Sequence, residues 1–255
     1  MANRDEWMQR RCGYLSASMI GDIISASGKI IDGNISAIRK KRFERRFGYT
    51  IPFTSSAMEK GTENEPYAVA WFRENHPELP IIYSQELPEI PFWTVDWAKF
   101  GASPDAYSED GRVIVEFKTV VSATNVEFFA DEYTSYEEKK LAVWKEHGAQ
   151  MLAQLLTSEK AEEVWLVKHI PQFDEILQDV DSPLASWRGL VFKFRREDFV
   201  ESLAALKERI ILFDAMIDSH LNPSSFKEGI WYLDSEGQLK QKEEEKKTSG
   251  KKNTK

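Results

Sequence analysis

Two acidic residues and a lysine stand close together in the middle of the chain. The stretch GASPDAYSEDGRVIVEFKTV places Asp105 directly after a proline, Glu116 eleven residues later and Lys118 two positions beyond Glu116. The last two residues end an apolar run that is typical of a buried strand. Because side chains alternate between the faces of a strand, we expect Glu116 and Lys118 on one face and Val115 and Phe117 on the other.

Metal-assisted hydrolysis is the chemistry that suits this group. A hairpin between Asp105 and Glu116 would bring two carboxylates together, and they repel each other unless a positive charge lies between them. Oxygen ligands of this kind suit Mg²⁺ or Mn²⁺. A lysine beside such a metal can orient or deprotonate a water molecule and offset charge that develops on a phosphate. The residues therefore predict a divalent-metal site that acts on phosphate esters.

A structural role is the alternative for the same residues. A lone Glu-x-Lys pair is most often a solvated strand face, and an aspartate after a proline is most often a turn residue. The combination of Pro-Asp, a hairpin and Glu-x-Lys at the end of an apolar strand is more specific. It favours a nuclease-type site.

Short strands must position this group. An Asp-Gly pair in SEDGR supplies the positive φ angles that a tight hairpin needs, so it predicts a turn just before the strand that carries Glu116. Strands are predicted where short apolar runs lie between turn residues: 81–83, 92–96, 100–102, 113–118, 164–170 and 190–195.

Helices are predicted on both sides of these strands. They are expected where apolar residues recur with helical spacing: in 11–25 after a short entry segment, and in 36–47, 55–75, 126–156 and 196–221. The order of elements predicts one α/β or α+β domain over residues 1–239, with a mixed central sheet flanked by helices. Residues 240–255 contain seven lysines and almost nothing apolar, so we expect a disordered tail.

Composition limits the classes of partner. The chain has 255 residues and a formal net charge of −8, so a DNA site must be a local basic patch or must use metal ions. Cys12 is the only cysteine, which excludes an intrachain disulfide and favours a reducing compartment. We find no secretory signal and no apolar run of transmembrane length, and therefore expect a soluble, cytoplasmic protein with no membrane contact.

The segment SAIRKKRFERRF carries six basic residues and one acid. A solvated helix face is the ordinary interpretation of such a segment. Contact with the DNA backbone is the functional alternative, because an acidic protein needs a local positive patch to bind phosphates.

Four blocks of sequence together indicate a family. The blocks RRCGYLSAS, GTENEPYA, SPDAYSEDGRVIVEFK and HGAQMLAQLL occur in this order. They resemble the successive motifs of the phage lambda exonuclease and YqaJ-like viral recombinase family, within the PD-(D/E)xK nuclease superfamily. The resemblance covers roughly residues 10–168 and implies a restriction-endonuclease-like core.

The resemblance implies roles for the central residues. Asp105 and Glu116, with the backbone carbonyl of Phe117, would bind two catalytic Mg²⁺ ions, with Mn²⁺ as a possible substitute. Lys118 would activate the attacking water. Glu65 matches the family's helix glutamate, which contributes to the metal site directly or through water. Taken alone, Glu65 would be an ordinary surface residue of a helix.

The same resemblance implies contacts with DNA. Gln150 matches a glutamine that lies against the active site. Arg11, Ser18 and Ser103 fall where the family holds the terminal 5′-phosphate, and guanidinium and hydroxyl groups are suited to that ligand. Met58 falls where the family places an apolar wedge that parts the strands. Taken alone, Gln150 would be an ordinary polar residue and Arg11 could cover apolar surface with its stem.

Three residues depart from the family pattern. His147 and Gln154 stand where related nucleases have tyrosine, and Pro66 directly follows Glu65. The first two leave the DNA contacts open, and Pro66 leaves the geometry of its helix open.

By resemblance, the protein is a 5′-to-3′ exodeoxyribonuclease that acts on double-stranded DNA ends. It would release 5′-mononucleotides, leave 3′ single strands for recombination, form a homotrimer and work beside a single-strand annealing protein. Two alternatives remain open: an endonuclease or nickase of the same fold, and a non-catalytic DNA-binding recombination factor.

Overall fold

A computed structural model describes most of the chain. The described residues are 4–23, 32–51, 55–120, 122–170, 189–227 and 229–242. The helices are α1 Arg4–Arg10, α2 Ala17–Ile23, α3 Asp32–Phe47, α4 Ser56–Asn75, α5 Ala123–Ala130, α6 Tyr136–Leu156 and α7 Val200–Asp218. The strands are β1 Leu15–Ser16, β2 Ile81–Tyr83, β3 Trp93–Thr94, β4 Phe100–Ala102, β5 Ala106–Ser108, β6 Val113–Thr119, β7 Glu163–His169, β8 Gly189–Arg195, β9 Ile230–Leu233 and β10 Leu239–Lys242.

A mixed sheet with helices on both faces forms the centre of the fold, as predicted. Its strand order is β2-β5-β6-β7-β8, and the pairs are antiparallel except β6 with β7. A parallel pair needs a long crossover, and α5 and α6 supply it. A smaller sheet, β1-β4-β3, joins the beginning of the chain to the strand that precedes Asp105.

Strand β6 separates two hydrophobic cores. Val115 and Phe117 pack in one core with Val69 and Phe72 of α4. Ile114, on the opposite face, belongs to the larger core to which α6 contributes. The alternation predicted for this strand is therefore confirmed, and Glu116 lies on the face that meets α6.

Helix α4 follows its predicted range closely. Ser55 caps its first turn by accepting a hydrogen bond from the backbone N–H of Met58 at 3.2 Å. Pro66 lies inside the helix, which continues on both sides of it. The carbonyl of Thr62 loses a helical partner there, because proline has no amide hydrogen. Glu65 is thus carried on a helix, as predicted.

Several boundaries differ from the predictions. The predicted helix 126–156 is two helices, because Ser135 and Glu138 form a capping box that starts α6 anew. The predicted helix 196–221 begins with a 3₁₀ turn at Arg196–Phe199 and becomes α-helical only at Val200. Helix α3 begins at Asp32, four residues before its predicted start.

Two local predictions need correction. In the hairpin between β5 and β6, Gly111 has a φ of 72°, but none of the non-glycine residues that the structure describes has positive φ, so Asp110 does not share that conformation. The predicted disordered tail is wrong at its first three residues, because Lys240–Lys242 belong to β10, which pairs antiparallel with β9. The rest of that tail lies outside the described residues.

Arg42 of the basic helix α3 closes the end of α7. Its guanidinium donates to the carbonyls of Met216, Ile217 and Leu221 at 2.7–2.9 Å and to the hydroxyl of Ser219 at 3.0 Å. The last carbonyls of a helix have no partner within the helix and attract positive charge. This arginine therefore joins two helices and is neither a solvated residue nor a DNA contact.

Two further basic residues of α3 are also tied within the fold. Arg45 pairs with Asp214 and with Asp218, the latter at 2.7 Å, and Lys41 pairs with buried Glu44 at 2.6 Å. Both interpretations of the basic segment are thus wrong for these residues. Within the described parts of the chain, no helix is both long enough and apolar enough to cross a membrane.

Candidate active site

The hairpin brings Asp105 to Glu116. Ala106 pairs with Val115 in the antiparallel register of β5 and β6, so the residue before Ala106 lies beside the residue after Val115. The backbone N–H of Phe117 donates to Asp105 Oδ2 at 2.9 Å and fixes that carboxylate at the end of the hairpin. The structure thus brings together the two acids that the sequence singled out.

Glu116 is held by three side chains. It is 3% exposed, and its Oε1 accepts hydrogen bonds from Lys118 Nζ at 2.6 Å and from Gln150 Nε2 at 2.6 Å. Gln154 Nε2 donates to the other oxygen, Oε2. Gln150 and Gln154 lie one turn apart on α6, so one face of that helix supplies both donors.

Sequence reasoning missed the role of Gln154. The sequence marks that residue only as a departure from the family's tyrosine, but the structure shows its amide donating to the carboxylate of Glu116. The spacing of four residues from Gln150 was the available signal, because it puts both amides on one helix face.

Glu65 reaches the site from α4. Its Oε1 accepts a hydrogen bond from the hydroxyl of Tyr83 at 2.9 Å, a contact that the sequence did not predict. Burial raises the pKa of Glu65, and the charge of Glu116 raises it further, while Tyr83 and Lys118 act in the opposite direction. Burial and the charge of Glu65 likewise raise the pKa of Tyr83, so its hydroxyl stays a donor.

The site carries more negative than positive charge. Burial, followed by the charges of Glu116 and Glu65, holds the pKa of Asp105 well above its usual range. Burial alone would lower the pKa of Lys118, but the charges of Glu116, Asp105 and Glu65 outweigh it and the pKa is raised. One lysine therefore faces three carboxylates, an arrangement that favours a bound cation.

The donor set fits a hard divalent cation. Carboxylate and carbonyl oxygens are the ligands that Mg²⁺ and Mn²⁺ prefer. Gln154 Oε1 is a buried acceptor for which the described residues offer no donor, and it lies on the side chain that binds Glu116. In the described residues, no three His, Cys, Asp or Glu side chains are already grouped closely enough to hold an ion. The acids would thus have to close around it.

The residues predicted to hold a terminal phosphate form what we call the end pocket: Arg11, Ser18 and Ser103. The indole N–H of Trp7 donates to Ser103 Oγ at 3.1 Å, and the guanidinium of Arg11 lies 4.1 Å from the centre of the Trp7 ring. Trp7 therefore contacts both Arg11 and Ser103 and brings them close together. Burial lowers the pKa of Arg11 to about 10, with Glu44 opposing the shift, so this arginine remains charged at neutral pH.

Strand pairing places the third member of the end pocket. Ser16 pairs with Gly101 in the parallel register of β1 and β4, so Ser18 and Ser103 both follow at the same end of these strands. The hydroxyls of Ser16 and Ser18 lie 3.1 Å apart. Ser103 is two residues before Asp105, which connects the end pocket to the acidic group.

Met58 lies apart from these charges. It is in the first turn of α4, and it is 49% exposed. An exposed apolar side chain at a helix start is accessible to a ligand, as the predicted wedge requires.

Comparison with known families identifies the chain. The YqaJ-like viral recombinase domain matches residues 6–161, which is more than half of the chain. The chain belongs to this family. The match contains Asp105, Glu116, Lys118 and the two α6 glutamines, and it confirms the resemblance inferred from the sequence. No curated protein matches the chain.

Solved structures of exonucleases share the fold. An alkaline exonuclease (LHK-Exo) from Laribacter hongkongensis is 20% identical with a TM-score of 0.60, over 84% of this chain and 92% of that one. The same enzyme in complex with dAMP is 19% identical with a TM-score of 0.54, over 84% and 94%. A phage-related exonuclease from Haemophilus somnus 129PT is 17% identical with a TM-score of 0.57, over 80% and 93%. The PD-(D/E)xK-like fold is thereby confirmed.

Proposed function

We propose that the protein is an Mg²⁺-dependent exodeoxyribonuclease that acts on double-stranded DNA ends. It degrades the 5′-ended strand, releases 5′-mononucleotides and leaves 3′ single strands for recombination. The group of Asp105, Glu116 and Lys118 at the end of the β5–β6 hairpin carries the proposal. Membership of the YqaJ-like family and the exonuclease names of the structural neighbours support it.

Each residue of the site has a chemical task. Asp105, Glu116, Glu65 and the Phe117 carbonyl would hold two Mg²⁺ ions, and Mn²⁺ could replace them. When bound, the ions lower the pKa of water and stabilise charge on the departing 3′-oxygen. Lys118, which donates to Glu116, can orient the attacking water and stabilise the charge that develops on the phosphate.

The α6 glutamines fix the orientation of the acid that they bind. Gln150 and Gln154 donate to different oxygens of Glu116, so the carboxylate cannot rotate without losing both bonds. An acid held in one orientation supports a site with a defined geometry.

The end pocket accounts for attack at a terminus. A terminal phosphate carries more charge than an internal diester, so a guanidinium beside two hydroxyls favours it. Ser103 is two residues before Asp105. A terminal phosphate bound at Ser103 would therefore place the first diester bond of the strand beside the acids. The dAMP in one relative's structure is a mononucleotide of the kind that such a reaction releases.

Assembly is part of the same proposal. A homotrimer around the DNA, with Met58 as a wedge at the duplex end, would keep the enzyme on its substrate. A single-strand annealing protein would receive the 3′ strand. For a phage-encoded chain, the site of action would be the cytoplasm of the bacterial host.

One assay tests the catalytic proposal. Linear duplexes with a 5′-phosphate or a 5′-hydroxyl, and covalently closed circles, are incubated with Mg²⁺ or with EDTA. We expect the linear duplexes to be degraded from their 5′ ends in Mg²⁺ alone, and the 5′-phosphorylated duplex faster. Asp105→Asn should abolish cutting, and its melting temperature without metal should hold or rise because repulsion is relieved. Glu109→Gln, in the same hairpin, is the matched control.

The alternatives predict different products. Efficient linearisation of closed circles would contradict the exonuclease proposal and indicate an endonuclease or nickase. Binding of duplex ends without any cutting in Mg²⁺ or Mn²⁺ would indicate a non-catalytic recombination factor.

A further inference from the structure

A buried lysine lies next to the candidate active site and takes no part in the chemistry proposed above. Lys168 of β7 pairs in register with Lys118 of β6, and its side chain is 6% exposed. Its Nζ donates to Glu146 Oε2 at 3.1 Å and lies 5.3 Å from the centre of the Phe129 ring. A further contact joins it to His147 Nε2 at 2.9 Å.

The contact between Lys168 and His147 determines which imidazole nitrogen carries the proton. Nε2 lies 2.9 Å from Lys168 Nζ and 3.3 Å from Glu146 Oε1, and the lysine contact alone has hydrogen-bond geometry. A lysine ammonium has three donors and no acceptor, so His147 Nε2 accepts from it. The proton of the neutral ring then lies on Nδ1. Burial and the charge of Lys168 lower the pKa of His147 to about 4, against the opposing charge of Glu146, so the ring is neutral at pH 7.

The ring of His147 belongs to the helix face that meets the candidate active site, because His147 is three residues before Gln150, which binds Glu116. Besides Glu146 and Lys168, the charged groups that act on the imidazole are Lys118 and Glu116 of β6. The His147 side chain is 14% exposed. Among the residues that the structure describes, none forms a hydrogen bond with its Nδ1.

We propose that His147 Nδ1–H donates to a non-bridging phosphate oxygen of the DNA strand in the site, and that Lys168, itself paired with Glu146, is the positioning residue that holds the ring in this tautomer. The inference rests on the proposed function, because it needs a phosphodiester strand beside Lys118. A neutral donor suits this place, because it binds the phosphate without adding a charge that would titrate near pH 7.

The tautomer can be tested without DNA. In ¹⁵N-histidine-labelled protein, we expect the wild-type His147 ring to show the Nδ1–H form and to remain neutral down to about pH 5. Lys168→Met keeps the volume of the buried stem but removes the donor and the charge. In that variant the Nε2–H form should appear and the pKa should rise towards its ordinary value of about 6.5. An Nε2–H form in the wild type would overturn the proposal.

The phosphate contact is tested by binding. Affinity for a fluorescein-labelled 5′-phosphorylated duplex is measured with Ca²⁺ in place of Mg²⁺, under conditions where the strand is not cut. His147→Phe keeps a flat ring without a donor and should weaken binding about tenfold, which is the size of a hydrogen bond to a charged group. His147→Asn places an amide N–H where Nδ1 stood and should stay within about threefold of wild type. Circular dichroism checks that each variant is folded.

The two arms separate this inference from the proposed function. Wild-type affinity in His147→Phe would refute the phosphate contact while leaving the exonuclease proposal intact. A wild-type protein that binds no duplex DNA would refute the proposed function, and the phosphate contact with it.

Discussion

Glu116 receives hydrogen bonds from a lysine and two glutamines, all within a face of the sheet that α6 covers. A buried carboxylate without partners would be protonated or would destabilise the fold. Here the donors keep its charge compatible with burial. Lys118 contributes the only formal positive charge to that set of donors, which makes it the natural residue to remove.

Lys118→Met should slow the chemical step far more than it weakens binding. The lysine lies against the carboxylate where water would be activated, so its loss should lower the single-turnover rate about 10²- to 10⁴-fold. The dissociation constant for duplex DNA should change only a few-fold. Lys160→Met, at an exposed lysine near the hairpin, is the control. A variant that loses binding and keeps its rate would make Lys118 a phosphate contact instead.

His147 should make the free energy of unfolding depend on pH in the mildly acidic range. Its folded-state pKa is about 4 and its ordinary pKa is 6.5, so between these values the unfolded chain binds more protons. Stability should therefore be complete above about pH 6.5 and fall by about 2 kcal/mol by pH 5. Urea unfolding at several pH values measures this slope. His147→Asn should reduce it, whereas exposed His220→Asn should not.

At the scale of elements, the junction of α3 with α7 gives the clearest test. Arg42 binds three carbonyls and a hydroxyl at the end of α7. Arg42→Met should lower the free energy of unfolding by about 2 kcal/mol, or roughly 4–8 °C in melting temperature, because those carbonyls lose a charged donor. Lys40→Met, at an exposed neighbour on α3, should change the melting temperature by less than about 2 °C.

The local pattern of turn residues and apolar runs was sufficient to predict the strands around Asp105 and Glu116. Turn residues bound short apolar runs at Ile81–Tyr83 and Phe100–Ala102, and both strands have the predicted limits. The hairpin that ends in Glu116 set the register with Asp105, because a short loop allows few pairings. The proximity of Asp105 and Glu116 was therefore predictable from one stretch of sequence.

Contacts between distant elements were not predictable. Tyr83 meets Glu65 only because β2 lies beside α4, and the hydropathy of neither segment indicates that pairing. The arginines of α3 gave the pattern of a solvated or DNA-binding face, yet Arg42 and Arg45 bind α7, which follows more than 150 residues later. A run of charged residues shows that a segment is polar, but tertiary packing decides which groups those side chains bind.

At the scale of the whole molecule, the end pocket joins the beginning of the chain to the candidate active site. Arg11 follows α1, while Ser103 follows β4, and the parallel β1–β4 pair holds the two segments together. Under the proposed function, selection of the DNA end would thus depend on a contact between regions that are about 90 residues apart in the sequence. Catalysis would use residues outside this contact.

Arg11→Ala should therefore separate end selection from cutting. We expect the rate advantage of 5′-phosphorylated over 5′-hydroxyl duplex to shrink to near one, because the guanidinium supplies most of the charge that recognises the terminal phosphate. Slow cutting should persist, because Asp105 and Glu116 remain. Degradation rates on both substrates, for wild type and variant, measure the ratio. An unchanged ratio in Arg11→Ala would remove this residue from the end pocket.

The parallel pairing of β6 with β7 has a consequence for synthesis of the chain. Val113 pairs with Glu163, so a growing polypeptide displays β6 with one open edge until some 50 further residues have left the ribosome. An apolar strand with a free edge invites association with other chains. The region matched by the family ends at residue 161, just before β7. A fragment cut at that boundary should carry every side chain of the candidate active site and yet aggregate, since the strand that covers the open edge of β6 would be missing.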